Sequence, residues 1–190
     1  MPRLRRDRPA SVSRRSRAGL LAALCLALAA CASLPPGFVP PAVGNAVPGV
    51  PFHAQEDYQC GPASLAGVLN FLGDPATPEE IASAVFRPDL RGSVSLDLAL
   101  YPRGRGLSSR FFRGTPADLT AAVDAGRPLV LMLDQGLAGV RYFHFAVLTG
   151  YRPQGAVLNS GREQGLLVPW ASFLAQWAGA DNWTLEVTRP

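Results

Sequence analysis

Apolar positions follow helical spacing up to about residue 126 and strand-like spacing after it. Four apolar residues recur at intervals of three and four and predict a helix over residues 60–72: Leu65, Val68, Leu69 and Leu72. Thr77-Pro78-Glu79-Glu80 has the form of a capping box, which predicts a second helix through residue 86. Two further helices are expected over residues 96–101 and 114–126.

The second half of the chain is rich in β-branched and aromatic residues. Residues 128–133 form a continuous apolar run suited to a central strand, and residues 142–151 form a β-rich segment that carries His144. Shorter strands are predicted at 107–113, 156–160, 166–168 and 183–188, and a helix at 169–178. Helices followed by a mostly antiparallel sheet predict an α+β domain with helices packed against the sheet.

The first 30 residues have the pattern of a secretory signal. Seven arginines precede an apolar segment over residues 18–30, which is too short to span a bilayer comfortably. This segment ends in Leu28-Ala29-Ala30-Cys31, which resembles a bacterial lipobox. The resemblance implies cleavage before Cys31 and a lipid on its sulfur. The alternative is an uncleaved N-terminal anchor helix.

Residues 31–47 are rich in proline, glycine and small residues, and we expect them to be a flexible tether. The folded domain is then expected over residues 48–190. A lipid on Cys31 would hold it in the bacterial cell envelope. Ser33, rather than an acidic residue, follows the pattern of lipoproteins sorted to the periplasmic side of the outer membrane.

The positive charge of the chain belongs to this leader. The whole sequence has 18 basic and 14 acidic residues, a net charge of +4, and every basic residue is arginine. Without residues 1–30 there remain 11 arginines and 13 acids, a net charge of −2. Nucleic-acid binding therefore has no support from charge.

Cysteine usage singles out one thiol. Of the three cysteines, Cys25 lies in the signal segment and Cys31 is the predicted lipid site, so Cys60 remains as the free thiol. Pro62 suits the first turn of a helix, which would put Cys60 at the helix N-terminus, where the helix dipole favours a thiolate. Cys60 is a candidate nucleophile, or else a small buried apolar residue. No cysteine and histidine spacing suggests a metal site, and no cofactor is expected.

A thiol nucleophile needs a base and a group that orients the base. His53 and His144 are the available histidines, and Asn159 follows His144 on the next predicted strand, where it could return beside the imidazole. The alternative for His144 is a structural role in the core. Gln55 could stabilise an oxyanion together with the Cys60 backbone N–H, and Gln59 is less suited.

The segments VPFHAQEDYQCGPASLAGVLNFLG, FHFAVLTGY and VLNSGREQGLLVPWASFLAQWAG resemble the C39-like cysteine peptidases across the whole mature domain. The resemblance implies a papain-like fold, Cys60 as nucleophile, His144 as base and acid, Gln55 as oxyanion donor and Asn159 as the orienting residue. Two departures are visible. The family usually has Asp-Pro where this chain has Asn159-Ser160, and the Gln55-to-Cys60 spacing is about one residue shorter than in transporter-fused members.

The expected function is that of a lipid-anchored cysteine peptidase that cleaves peptide bonds through a Cys60 thioester, without a cofactor. Its partners would be a peptide or protein substrate and the membrane, and we expect a monomer. Two alternatives stay open: a peptide-binding module without catalysis, and a cell-wall amidase of the Cys-His type.

Overall fold

A computed structural model of the chain describes residues 34–54, 59–87, 89, 92–137 and 139–190. The signal segment, Cys31 and Gln55 lie outside these residues. The helices within them are α1 Cys60–Phe71, α2 Pro78–Val85, α3 Ser95–Leu100, α4 Pro116–Asp124 and α5 Trp170–Gly179, with a 3₁₀ helix at Tyr101–Arg105. The strands are β1 Asn45–Ala46, β2 Phe86–Arg87, β3 Gly92–Ser93, β4 Ser108–Arg113, β5 Leu129–Asp134, β6 Phe143–Arg152, β7 Gly155–Ser160, β8 Glu163–Pro169 and β9 Trp183–Thr188.

The main sheet has the strand order β4-β9-β5-β6-β7-β8, and β1 adds to it by pairing with β6. Each pairing between these strands is antiparallel. Strands β2 and β3 pair with each other as a separate two-stranded sheet. The prediction of an α+β domain with a mostly antiparallel sheet is therefore confirmed.

Local sequence signals placed the helix starts correctly. The hydroxyl of Thr77 accepts a hydrogen bond from the Glu80 N–H, and the Glu80 carboxylate accepts one from the Thr77 N–H, which completes the expected capping box. Thr115 and Asp118 form a second capping box at the start of α4. Such pairs satisfy backbone N–H groups that have no partner within the helix.

Helix α1 is the centre of the core. Its residues from Gly61 to Leu69 are all buried, so the helix is covered on every side and packs against β5, β6 and β7. The segment that precedes α1 packs closely against this helix. A Cβ atom on Gly67 would lie 2.7 Å from the carbonyl oxygen of Pro51, so only glycine fits there without a shift.

Residues 34–47, called the strap below, differ from the flexible tether that we expected, since they pack on the domain. The Phe38 ring lies 5.2 Å from the Trp170 ring, and β1 pairs with the end of β6. Asn45 Nδ2 donates a hydrogen bond of 2.9 Å to Asp124. The compact unit therefore begins at Leu34. The proline content predicted a flexible segment, but the Phe38 ring and the two residues of β1 hold the strap against the domain.

Candidate active site

Cys60 is the first residue of α1, as the sequence predicted, and its thiol is free and partly exposed. Burial raises the pKa of this thiol, while hydrogen bonds from the backbone N–H groups of Phe145, Gly61 and Cys60 itself act to lower it. Burial is the stronger effect, so the pKa of Cys60 lies above its ordinary value. The resting sulfur is therefore a thiol at neutral pH.

The hydrogen bond from the Phe145 N–H places the Cys60 thiol against β6, the strand that carries His144. His144 is buried on β6, directly before Phe145, and α1 packs against this strand. Burial lowers the pKa of His144, so its imidazole is neutral at physiological pH. The structure thus brings together the predicted nucleophile and the predicted base, both in their uncharged forms.

His53 lies elsewhere. Its Nε2 is 2.8 Å from the side-chain oxygen of Asn70, in the last turn of α1. Ten residues of helix separate Asn70 from Cys60, or about 15 Å at 1.5 Å per residue. His53 therefore helps to anchor the segment that precedes the active site, and His144 is the histidine placed to serve as base.

The group that contacts His144 is Ser160, and the contact that we expected from Asn159 is not made. The Ser160 hydroxyl oxygen lies 2.9 Å from His144 Nε2. This contact occupies Nε2 and leaves Nδ1 as the other nitrogen of the ring. Because Nε2 is held, the orienting role that the sequence suggested for Asn159 is filled in this structure by its neighbour.

The reason is a one-residue irregularity in the sheet. Near the hairpin turn Gly150 pairs with Val157, but beyond an irregularity after Leu148 the pairing is Val147 with Asn159. Side chains alternate between the faces of a sheet, so a shift of one residue exchanges the faces. Asn159 shares the face of Val147, and Ser160 shares the face of His144. A hairpin without the irregularity would have paired Asn159 with Leu148 and so put its side chain on the face of His144.

Asn159 instead supports the hairpin next to Ser160. Its side-chain oxygen accepts a hydrogen bond of 3.1 Å from the Gly165 N–H on β8. Its Nδ2 is buried and has no hydrogen-bond partner among the described residues. By holding β8 against the end of β7, Asn159 restricts where the Ser160 side chain can lie.

Gln55 lies outside the described residues, so its oxyanion role stays a prediction. Gln59, the less suited alternative, is the N-cap residue of α1, and its side chain makes no capping hydrogen bond. The backbone N–H groups of Cys60 and Gly61 face the sulfur and remain available at the helix N-terminus.

An apolar rim that sequence reasoning missed lies beside the site. Leu137, Val140 and Tyr142 are exposed on the β5–β6 connection, and Phe143 is exposed at the first position of β6, immediately before His144. Asp134 shapes this connection by accepting hydrogen bonds of 3.0 Å from the N–H groups of Gly136 and Tyr142. Within the residues that the structure describes, no group of three or more histidine, cysteine or acidic side chains could hold a metal ion.

Comparison with known proteins identifies the family of the chain. A sequence model described as Peptidase_C39 like family matches residues 47–181, which include Cys60, His144, Asn159 and Ser160. A search of curated protein sequences found no significant match.

Solved structures share the fold at low sequence identity. A putative C39-like peptidase from Bacillus anthracis superposes with a TM-score of 0.64 at 17% identity, over 77% of this chain and 98% of that one. A double glycine motif protease from an AMS/PCAT transporter, solved with a leader peptide, gives 0.61 at 24% identity, over 80% and 99%. The peptidase domain of Streptococcus ComA gives 0.61 at 17%, over 75% and 100%.

Proposed function

Because this chain belongs to the C39-like peptidase family, we propose that it is a cysteine peptidase that cleaves peptide bonds through a thioester on Cys60. One observation carries the proposal. The Cys60 sulfur accepts a hydrogen bond from the N–H of Phe145, the residue next to a buried histidine whose Nε2 is already held by Ser160. A thiol, a neutral base and an orienting group are the parts that acyl transfer needs.

The raised pKa of Cys60 and the lowered pKa of His144 determine which group carries the proton before the reaction. The resting site holds a thiol and a neutral imidazole, so His144 Nδ1 removes the Cys60 proton as the sulfur attacks the peptide carbonyl carbon. The oxyanion is stabilised by backbone N–H groups at the start of α1 and, in our proposal, by Gln55. His144 then gives the proton to the leaving amine as the C–N bond breaks.

Hydrolysis of the thioester repeats these steps with water. His144 accepts a proton from the water as its oxygen attacks the carbonyl carbon, and the proton returns to sulfur when the C–S bond breaks. In each of these steps, the hydrogen bond between Ser160 and Nε2 fixes the orientation of the His144 ring. A hydroxyl carries no charge, so it orients the imidazolium without the electrostatic support that a carboxylate would give.

We further propose that the protein is a lipoprotein of the bacterial cell envelope. The support is in the sequence, where Leu28-Ala29-Ala30-Cys31 closes a basic and apolar signal segment. No helix of the described residues is long and apolar enough to cross a membrane. A lipid on Cys31 would hold the peptidase at the membrane and leave the domain in water.

The decisive experiment compares Cys60→Ala with the wild type in the full-length protein. We expect wild-type protein to be labelled at Cys60 by a peptide vinyl sulfone and to hydrolyse peptides from a degenerate peptide library, and the variant to do neither. Ser83→Ala is the control, because it removes an exposed hydroxyl whose hydrogen-bond partner is the Glu79 carbonyl oxygen of the same helix, α2. Equal peptide hydrolysis by Cys60→Ala would overturn the proposal.

The same proteins test the two alternatives. Peptide binding without cleavage by the wild type, unchanged in Cys60→Ala and His144→Ala, would identify a binding module. Release of muropeptides from purified cell wall, with no cleavage of ordinary peptides, would identify a cell-wall amidase. Comparing the proteomes of cells with wild-type and Cys60→Ala protein would then identify the substrate.

A further inference from the structure

The strap carries exposed apolar side chains. It lies at the end of the domain that is remote from His144. Val39 is 82% exposed and Val43 is 78% exposed, and Leu34 is partly exposed as well. Isolated exposed valines are common on protein surfaces. These three lie within ten positions of one another on a segment whose other residues are mainly proline, glycine and alanine, so the exposed side chains of the strap are largely apolar.

This surface continues into a groove. The groove has a volume of about 620 Å³ and lies between the strap and the first turns of α4, with one residue of α5 at its base. Among the described residues no charged side chain lines it; the apolar lining includes Phe38, Val39, Pro41, Pro116, Ala117 and Leu174, and Thr115 and Thr120 are its polar members. A groove without charge, next to exposed valines, marks a place where apolar material is bound.

The short separation between Cys31 and Leu34 along the chain indicates that the apolar material is lipid. Leu34 is the first described residue, and it follows the proposed lipid-bearing Cys31 by three positions. Three residues span at most about 11 Å, so a lipid inserted through Cys31 would hold Leu34 close to the bilayer surface. The strap is docked on the domain by Phe38 and β1, so no long tether separates that surface from the groove.

We propose that the strap and the start of α4 rest on the lipid bilayer and form a membrane-contact face, with Val39 and Val43 inserted among the lipid headgroups. The proposal rests on lipidation of Cys31. It adds that the domain is oriented as well as tethered. Burying two valines and the walls of the groove would reinforce the anchor, because membrane affinity scales with the apolar area removed from water.

Strand β6 links this face to the active site. The strap pairs with β6 at Gly150 and Tyr151, and His144 lies near the opposite end of the same strand. Seven residues separate Tyr151 from His144, or about 23 Å at 3.3 Å per residue. With the strap on the bilayer, the active site and its apolar rim are held at a distance from it.

The test uses full-length, lipidated protein with the Cys60→Ala change, so that a single introduced cysteine takes a fluorescent label. Val39→Cys and Val43→Cys report on the proposed face, and Leu137→Cys reports on the exposed apolar rim at the active-site end. Each protein is incorporated into vesicles of phosphatidylethanolamine and phosphatidylglycerol, with and without lipids brominated on their acyl chains. We expect bromine to quench the labels at positions 39 and 43 several-fold more than the label at 137.

Each other outcome contradicts the proposal. Equal or stronger quenching at 137 would put the active-site rim on the bilayer, and no quenching at any position would show a domain that stands clear of it. A label shift that depends on protein concentration but not on vesicles would assign the strap face to a second copy of the chain. Absence of lipid on Cys31 by mass spectrometry would remove the premise. Peptide hydrolysis by the Cys60 protein, measured separately, tests the peptidase function independently of all these results.

Discussion

The Ser160 hydroxyl oxygen lies 2.9 Å from Nε2 of His144, so an uncharged group contacts this nitrogen of the ring. A hydroxyl can either accept a hydrogen bond from Nε2–H or donate one to Nε2, whereas a carboxylate can only accept. Ser160 therefore orients the ring but does not select one tautomer of it. The mechanism that we propose requires the tautomer with the proton on Nε2, because Nδ1 must be free to take the thiol proton.

Replacing Ser160 tests this relationship. We expect Ser160→Ala to lower kcat about tenfold with little change in KM, since the ring loses its orientation but the substrate surface is unchanged. Ser160→Asp should raise the pKa of His144, because an adjacent carboxylate stabilises the imidazolium by roughly 1–3 pH units. Steady-state kinetics across a pH series measure both effects.

Asn159→Ala supplies the comparison for that series. This change removes the hydrogen bond to Gly165 and leaves His144 Nε2 with its partner. We expect a lower melting temperature and an unchanged pH dependence. If Asn159→Ala shifts the pH profile and Ser160→Ala does not, the orienting group is Asn159 after all.

The Cys60 thiol should react slowly with small alkylating agents at neutral pH. Burial raises the pKa of Cys60, so the thiolate fraction near pH 7 is smaller than in a free cysteine. We expect the rate of alkylation by iodoacetamide to rise at a more alkaline pH than that of glutathione. In Ser160→Asp, the same profile should move to lower pH, because a stabilised imidazolium favours the thiolate. A wild-type profile that titrates below that of glutathione would show that the site rests as an ion pair.

Gly67→Ala should disturb the approach to the active site. The new Cβ would lie 2.7 Å from the Pro51 carbonyl oxygen, so the segment that leads to Gln55 must shift. We expect a loss of about 1–3 kcal/mol in the free energy of unfolding, together with a lower kcat/KM. Gly104→Ala is the control, since its Cβ meets nothing within 4 Å. Equal effects of the two changes would indicate that glycine flexibility matters and the contact does not.

Glu186 should make the fold sensitive to acid. Burial raises its pKa, but hydrogen bonds from Arg110 and Arg127, each 2.6 Å long, outweigh burial and the net pKa is lowered. A lowered carboxylate pKa adds stability above the pKa of the unfolded chain, and this stability is lost as pH falls through the folded value. Glu186→Gln should therefore cost about 1–3 kcal/mol near neutral pH and flatten the loss of stability on acidification.

Urea unfolding at several pH values measures the contribution of Glu186. Glu163→Gln provides the matched control, because Glu163 is exposed on β8. We expect it to behave as the wild type. An acid dependence that stays the same in Glu186→Gln would contradict the assignment.

Local signals in the sequence were sufficient for the helices and for the position of Cys60 at the start of α1. The helix from Cys60 was predicted by four apolar positions at helical spacing, and the capping box at Thr77 by its residue types. The strand that carries His144 was predicted by its β-branched and aromatic residues, whereas the role of His144 as base stays a prediction. Each of these depends on neighbouring residues, so periodicity and residue type carry enough information.

The choice between Asn159 and Ser160 depended on a longer-range feature. One irregularity after Leu148 decides which of the two side chains lies on the same face of the sheet as His144. The residue types around Leu148 do not predict this irregularity. The docking of the strap was missed for a related reason. It depends on Phe38 meeting Trp170, which follows it by more than a hundred positions, and such contacts leave no periodic pattern.

Strand β1 has a practical consequence for work on the isolated domain. The match to the family begins at residue 47, but a protein cut there would lose β1 and the Phe38 ring. It would expose unpaired backbone groups at Gly150 and Tyr151 and uncover one side of Trp170, a combination that favours aggregation. Expression of a stable soluble enzyme should therefore begin at Leu34.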